Sequence, residues 1–202
     1  MSVTPTRTRN PRGEGERLRA DLLDAAADLI AEQRSVDRVS LRAVAGRAGV
    51  SPMAVYNHFE DKDELMVAAV DHCWEEFQTS LATAYLAADD VYARLRDAGA
   101  AYVRFALEHP GKYRVMFSDP ADLPARADEP VGLSAFDQLV TVVADILAAR
   151  GDDRDPTFVA VQVHTWVHGI VSLLACKPEG DWPATDALLD DLVVRLELGA
   201  PG

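Results

Sequence analysis

Residues 40–59 read SLRAVAGRAGVSPMAVYNHF, from Ser40 to Phe59. Ser40 is a good N-cap, and Leu41, Val44, Ala45 and Ala48 recur at three- and four-residue intervals, the stripe that buries one face of a helix about two turns long. Gly49 stands where a left-handed residue closes a helix, Val50 is an apolar plug for the corner, and Ser51-Pro52 is an N-cap followed by a first-turn proline. A second helix starts there. It carries Val55 and Phe59 inward at i and i+4, leaving Pro52, Met53, Ala54, Tyr56, Asn57 and His58 around its remaining surface. Two short helices joined through a glycine turn suit a helix-turn-helix, a unit that can place its second helix in a DNA major groove.

The 202 residues, 49% of them hydrophobic, suffice for one substantial core or for a small head and a larger body. The net charge of −13 taken alone argues against a polyanionic partner, but it is unevenly spread. Residues 1–59 carry nine arginines and no lysine against seven acidic groups, a net of +2, whereas residues 60–202 carry 11 basic and 26 acidic groups, a net of −15. Such a chain presents only its head to DNA, because phosphates repel the body. No apolar run reaches the ~18 residues of a membrane span and no signal core follows Met1, so a soluble, unexported, cytoplasmic protein with no membrane partner is expected. Cys73 and Cys176 are too few for a disulfide framework and lack the paired spacing of a zinc site; both are read as reduced thiols.

Around the reader, the spacing predicts an all-α chain in three parts. Residues 1–15, with Arg7, Arg9 and Arg12 among prolines and glycines, form a flexible basic arm, free either to touch DNA or to remain a solvated tail. Residues 16–60 hold a first helix through Gln33 and the two-helix reader, a three-helix head. Residues 61–202 form the helical body. Asp61 and Glu64 open a long helix through Leu81 as a capping box, and Asp89-Asp90 opens another that stops at His109-Pro110-Gly111, where a sharp turn is expected. A short helical piece, Lys112 to Phe117, precedes a proline-containing surface loop over residues 118–130. Helices over residues 131–150, 157–175 and 185–198 complete the chain. The run Val167 to Ala175 is apolar on most sides and the last helix sets Leu188, Leu189, Leu192, Val193 and Leu196 on one face, a pair suited either to a four-helix homodimer interface or to closing a single-chain core.

The linked pattern Leu41-Arg42-x-Val44-Ala45, Ala48-Gly49-Val50-Ser51, Val55-Tyr56-Asn57-His58-Phe59 and Lys62-x-x-Leu65 resembles the TetR family of transcriptional regulators. A helical hairpin that only packs would satisfy any one piece; the joint spacing favours the resemblance. It implies a ligand-responsive regulator, most commonly a repressor, that binds a near-palindromic operator in double-stranded DNA as a homodimer and is released by a small-molecule effector. By the same resemblance Arg42 and Met53 read bases, Ala54 and Asn57 lie near the groove floor, and Ser40, Ser51, Tyr56, His58 and Lys62 hold phosphates. Arg42 offers a bidentate fork suited to guanine and Met53 an apolar contact to a thymine methyl. Where the family often has a small or polar residue at the start of the reader this chain has Pro52, so the resemblance carries no polar base contact to that position.

In the body, Trp166-Val167-His168-Gly169 and the apolar run after it resemble the effector domains of TetR-like regulators named for a Trp-His-Gly signature. That resemblance implies a ligand cavity walled by the middle helices, with Phe77, Tyr102, Phe105, Met116, Phe117, Phe136, Leu139, Trp166 and His168 as candidates, each of which would equally serve a plain core. His164 and His168 share a helical face at i and i+4, a spacing metals accept, but Thr165 stands where a zinc hydrolase places its general base and no third ligand is suggested. One of the two is expected instead as a hydrogen-bonded core or pocket residue, with Gly169 admitting a neighbouring helix. No nucleophile elbow or phosphate-cradling glycine loop occurs, so neither cofactor, metal nor enzymatic activity is expected.

Overall fold

A computed structural model describes residues 14–117 and 133–200 of the chain. The arm and the loop expected over residues 118–130 therefore lie outside the described residues, apart from Glu14 and Gly15, which open the first helix. Among the described residues there are nine α-helices and no strand: α1 (Glu14–Gln33), α2 (Leu41–Arg47), α3 (Pro52–Tyr56), α4 (Lys62–Ala87), α5 (Val91–Glu108), α6 (Pro110–Met116), α7 (Leu133–Arg150), α8 (Pro156–Cys176) and α9 (Thr185–Arg195).

The expected caps form. Ser40 Oγ accepts from the Ala43 amide at 3.2 Å, Ser51 Oγ from Ala54 at 3.3 Å and Asp61 Oδ1 from Glu64 at 2.9 Å, each satisfying a donor that the first helical turn leaves free. Glu64 reaches back to the amide of Glu60 at 2.5 Å, one residue before the cap. Gly49 has φ +70°, the left-handed turn between α2 and α3.

Two apolar cores divide the molecule. The head core gathers Leu22, Ala26, Ile30, Val44, Val55 and Phe59, and it continues into α4 through Leu65, Met66, Ala69 and Val70. The body core is built on Phe77 of α4, Tyr102 and Phe105 of α5, Ile146 of α7, Val163 and Val167 of α8 and Leu189 of α9. The two interlock at α6: Val115 packs into the head core, while Ala27 of α1 belongs to that of the body. Here Gly111 allows a close approach, since a Cβ at that position would lie 3.1 Å from Cβ of Ala31, a tight contact.

Three local expectations are corrected. Pro110 and Gly111 open α6 instead of forming a turn before it: the His109 amide closes α5 on the Phe105 carbonyl at 2.8 Å while the His109 carbonyl accepts from the Tyr113 amide at 3.0 Å. The last helix ends at Arg195, not Leu198; Glu197 takes φ +54° and the Leu198 amide bonds back to the Val193 carbonyl at 2.8 Å, burying Leu198 beyond the helix end. Gly169 admits no close neighbour, because a Cβ there would meet nothing within 4 Å.

Helix α8 is long and apolar enough, with a mean hydropathy of 1.5 in its most apolar window, to cross a membrane by length and composition. Its Val159, Val163, Val167, Ile170 and Val171 nonetheless face the body core. Phe158, Val161 and Leu173 are exposed.

Candidate nucleic-acid interface and effector cavity

The reader is a surface built on a fixed underside. Val55 is 0% and Phe59 2% exposed, whereas Met53 is 70% and Tyr56 54% exposed. Fully burying such apolar side chains stabilises by about 1.5–3 kcal/mol each, which fixes α3 although it is too short to be stable alone. Ser40, Arg42, Ser51, Pro52 and Asn57 are exposed, and Ala54 and His58 are half-buried. Arg42 makes no ion pair or hydrogen bond among the described residues, which leaves its guanidinium fork free. Arg47, one helical turn further along α2, is committed elsewhere: it donates to Glu32 Oε1 at 3.0 Å and Oε2 at 2.7 Å, clamping α2 to α1. That hydrogen bond holds Glu32 below the usual carboxylate range. Lys62 is half-buried and donates to the Asp37 carbonyl at 2.8 Å, so it pins the start of α4 to the α1–α2 connection as well as lying beside the reader.

A cavity of about 370 Å³ lies between α4, α5, α7, α8 and α9, with the end of α6 at its wall, within the roughly 300–1,000 Å³ of small-molecule sites. Six of the expected residues line it: Phe77, Tyr102, Met116, Phe117, Phe136 and Leu139. Phe105, Trp166 and His168 do not. Phe105 is core, edge-on to Phe77 at 5.4 Å, and Trp166 packs partly buried against the same core. His168 stands behind the wall, its Nδ1 2.6 Å from the Tyr113 hydroxyl, which is itself 2.9 Å from that of Tyr102.

Trp74, Arg96, Gly99, His164, Val167 and Leu189 are among the lining residues that sequence reasoning did not place there. His164 faces the cavity and stacks on His168 with centroids 5.7 Å apart. Burial, and then the neighbouring His168, lower its pKa, so it stays neutral at neutral pH. The Trp74 indole N–H is buried without a hydrogen-bond partner among the described residues. Burial pushes the Cys73 thiol up to about 12, which leaves little thiolate for redox chemistry.

Between cavity and head, three consecutive residues of α6 reach four other helices, α1, α4, α5 and α8. Lys112 donates to Asp24 of α1 at 2.7 Å and to Glu76 of α4 at 2.6 Å. Tyr113 holds Tyr102 and His168, and Arg114 donates to the Ala31 carbonyl at 3.3 Å. Desolvation opposes the charge on Lys112, but its two carboxylate partners outweigh that and raise its pKa. Asp24, His72 and Glu76 also lie close enough together to hold a metal ion. The ammonium bridging both carboxylates already supplies the positive charge there, so no metal role is assigned.

Near the N-terminus, residues 22–69 match the family model of bacterial regulatory proteins of the tetR family. Residues 95–196, half of the chain, match the Tetracyclin repressor-like C-terminal domain. The chain belongs to the TetR family. As a TetR-family protein it is a DNA-binding transcriptional regulator, with the reader in its N-terminal match and most of the cavity wall in its C-terminal one. It is 29% identical over 165 residues to an uncharacterized HTH-type transcriptional regulator, YobS, of Bacillus subtilis, covering 76% of this chain and 77% of that protein. A second match is local: 43% identity over 56 residues with an uncharacterized HTH-type transcriptional regulator of Haemophilus influenzae, 28% of this chain and 27% of the relative. The solved structure of a TetR-like transcriptional regulator from Rhodococcus sp. RHA1 shares the fold, with a TM-score of 0.71 at 24% identity over 95% of this chain and 100% of that one.

Proposed function

We propose that this regulator is a cytoplasmic homodimeric repressor that leaves a near-palindromic operator when a small molecule enters the body cavity. The observation that carries the DNA half is the free fork of Arg42 beside the exposed face of α3, held on the buried Val55 and Phe59. In this reading Arg42 and Met53 read base edges over Pro52, Ala54 and Asn57. Ser40, Ser51, Tyr56 and His58 hold phosphates, and Lys62 does so with the ammonium hydrogens that Asp37 does not use. The dimer is supported by the apolar surface that α8 and α9 leave uncovered, with Phe158 63% and Val194 72% exposed. A twofold pair sets two readers about 34–36 Å apart, on successive turns of the major groove.

The effector site in this reading is the cavity lined by Phe77, Tyr102, Met116, Phe117, Phe136 and Leu139, joined by Trp74 and His164. Phe105, Trp166 and His168 support it from outside. Release needs a ligand that prefers the off-DNA arrangement, and about 5.5 kcal/mol of preference moves the population from 1:99 to 99:1. Selection of bound duplexes from a random pool, with the mass of the protein in solution measured alongside, tests the reading. Enrichment of a near-palindrome by a dimer is expected; a single-chain protein with no enriched sequence overturns it.

A further inference from the structure

Polar groups in the cavity wall restrict what can occupy it. Arg96 is the one cation among the described lining residues, and it is already held: its Nε lies 2.6 Å from Asp190, with Asp97 at 3.4 Å and Asp186 at 3.9 Å. Three carboxylates outside the cavity lining already share that one guanidinium. An anionic ligand would have to lose its hydration, displace those carboxylates and meet their repulsion.

One wall group, by contrast, offers free hydrogen-bonding atoms to the cavity. His164 makes no hydrogen bond among the described residues, and its neutral imidazole carries one donor and one acceptor. The Trp74 indole N–H has no hydrogen-bond partner among the described residues, but none of its surface is open to the cavity, so Trp74 presents only its ring there. The rest of the wall is aromatic or aliphatic, including the Trp74–Phe117 and Phe77–Tyr102 edge-to-face pairs at 5.3 and 4.9 Å.

From these groups we infer that the cavity takes a small uncharged aromatic molecule bearing one hydrogen-bonding oxygen, a phenol or ketone, and rejects the corresponding carboxylate. His164 is the polar partner of the ligand oxygen, accepting from a hydroxyl or donating to a carbonyl. This rests on the effector-cavity reading above.

The test is isothermal titration of the full-length protein at neutral pH with three probes of one shape: 4-phenylphenol, biphenyl-4-carboxylate and biphenyl. The phenol is expected to bind at least about tenfold more tightly than the carboxylate. His164→Phe is expected to weaken the phenol about three- to tenfold and leave biphenyl unchanged, since an aromatic ring is kept and the hydrogen-bonding nitrogens are lost. A carboxylate that binds as tightly as the phenol overturns the ligand class and leaves the effector cavity standing. Equal losses for phenol and biphenyl in His164→Phe overturn the assignment of His164 as the polar partner. If none of the three binds protein that still recognises its operator, the cavity reading falls and this inference with it.

Discussion

Replacing Lys112 by methionine keeps the length and apolar stem of the side chain and removes only the charge. In the native protein that ammonium, 15% exposed, bridges Asp24 of α1 and Glu76 of α4 at 2.7 and 2.6 Å. Exposed pairs contribute ~0–1 kcal/mol and breaking a fully buried one costs ~3–5 kcal/mol. Because the lysine is largely buried but Asp24 is 46% and Glu76 37% exposed, water can rehydrate the abandoned carboxylates, so the expected loss is nearer the lower figure. An expected cost of about 1–2 kcal/mol corresponds to a fall of roughly 2–8 °C in Tm for a domain of this size. The assay is thermal and urea unfolding at fixed protein concentration of Lys112→Met, Asp24→Asn and the double variant. A coupling energy above about 0.5 kcal/mol is expected between the two sites, because they share one bond. Additive losses within about 0.3 kcal/mol would refute the claim that α6 is tied to the head through this pair.

Other consequences can be measured independently. Arg42→Ala is expected to weaken operator binding by roughly 1–3 kcal/mol and to relax preference at one base position in a duplex selection; equal loss on random DNA removes Arg42 from the base readers. Lys62→Ala should weaken all sequences alike and flatten the salt dependence, with a Tm loss besides, because its bond to the Asp37 carbonyl goes too. Phe158→Asp should leave the fold intact and shift the mass in sedimentation to that of one chain; an unchanged dimer places the interface elsewhere. His164 has a lowered pKa in the folded chain, so the unfolded state binds its proton first as pH falls. Its contribution to stability is complete above the ordinary histidine value of about 6.5 and is lost as pH drops from there through the lowered one. His164→Asn should therefore lose less Tm than the native protein between about pH 7 and pH 5, and parallel losses would contradict the assignment.

What the sequence made legible is what local chemistry decides. The caps at Ser40, Ser51, Asp61 and Asp90, and the left-handed Gly49 and Gly151, mark helix ends because those residue types satisfy end groups or admit positive φ. The C-terminus of α9 was not legible, since Glu197 adopts positive φ without being glycine or asparagine and a hydrophobic Leu198 follows it into the core. The cavity was legible only in part. Tyr102 and Phe105 stand three apart on α5 and read alike, yet one faces the cavity and the other the core. Likewise His164 and His168 share a face, and which one meets a ligand depends on Tyr113, brought in by α6 from 55 positions away. Trp74 and Arg96 were missed because nothing near them in sequence shows that an indole N–H goes unpaired or that a guanidinium is held by residues of α9.

The placement of α6 gives the proposed switch a physical route. Seven residues long, about 10 Å at 1.5 Å per residue, it ends at the cavity wall with Met116 and Phe117 and begins against α1, where Gly111 lies so close that a Cβ would stand 3.1 Å from that of Ala31. A ligand that displaces Phe117 or Tyr102 cannot be absorbed by slack at the other end, because Lys112 and Arg114 hold α1 there. Helix α4 adds leverage. Its Phe77 lines the cavity and its Lys62 is bonded to the head 15 residues away, about 22 Å along the axis, so a tilt of about 5° at the cavity moves the reader by about 2 Å. That displacement, made in opposite senses by two subunits, changes the separation of the readers by an amount comparable with the length of a hydrogen bond. Base contacts do not survive such a change, whereas flexible phosphate contacts partly do. The effector should therefore abolish preference for the operator at a lower concentration than it abolishes binding to DNA at large.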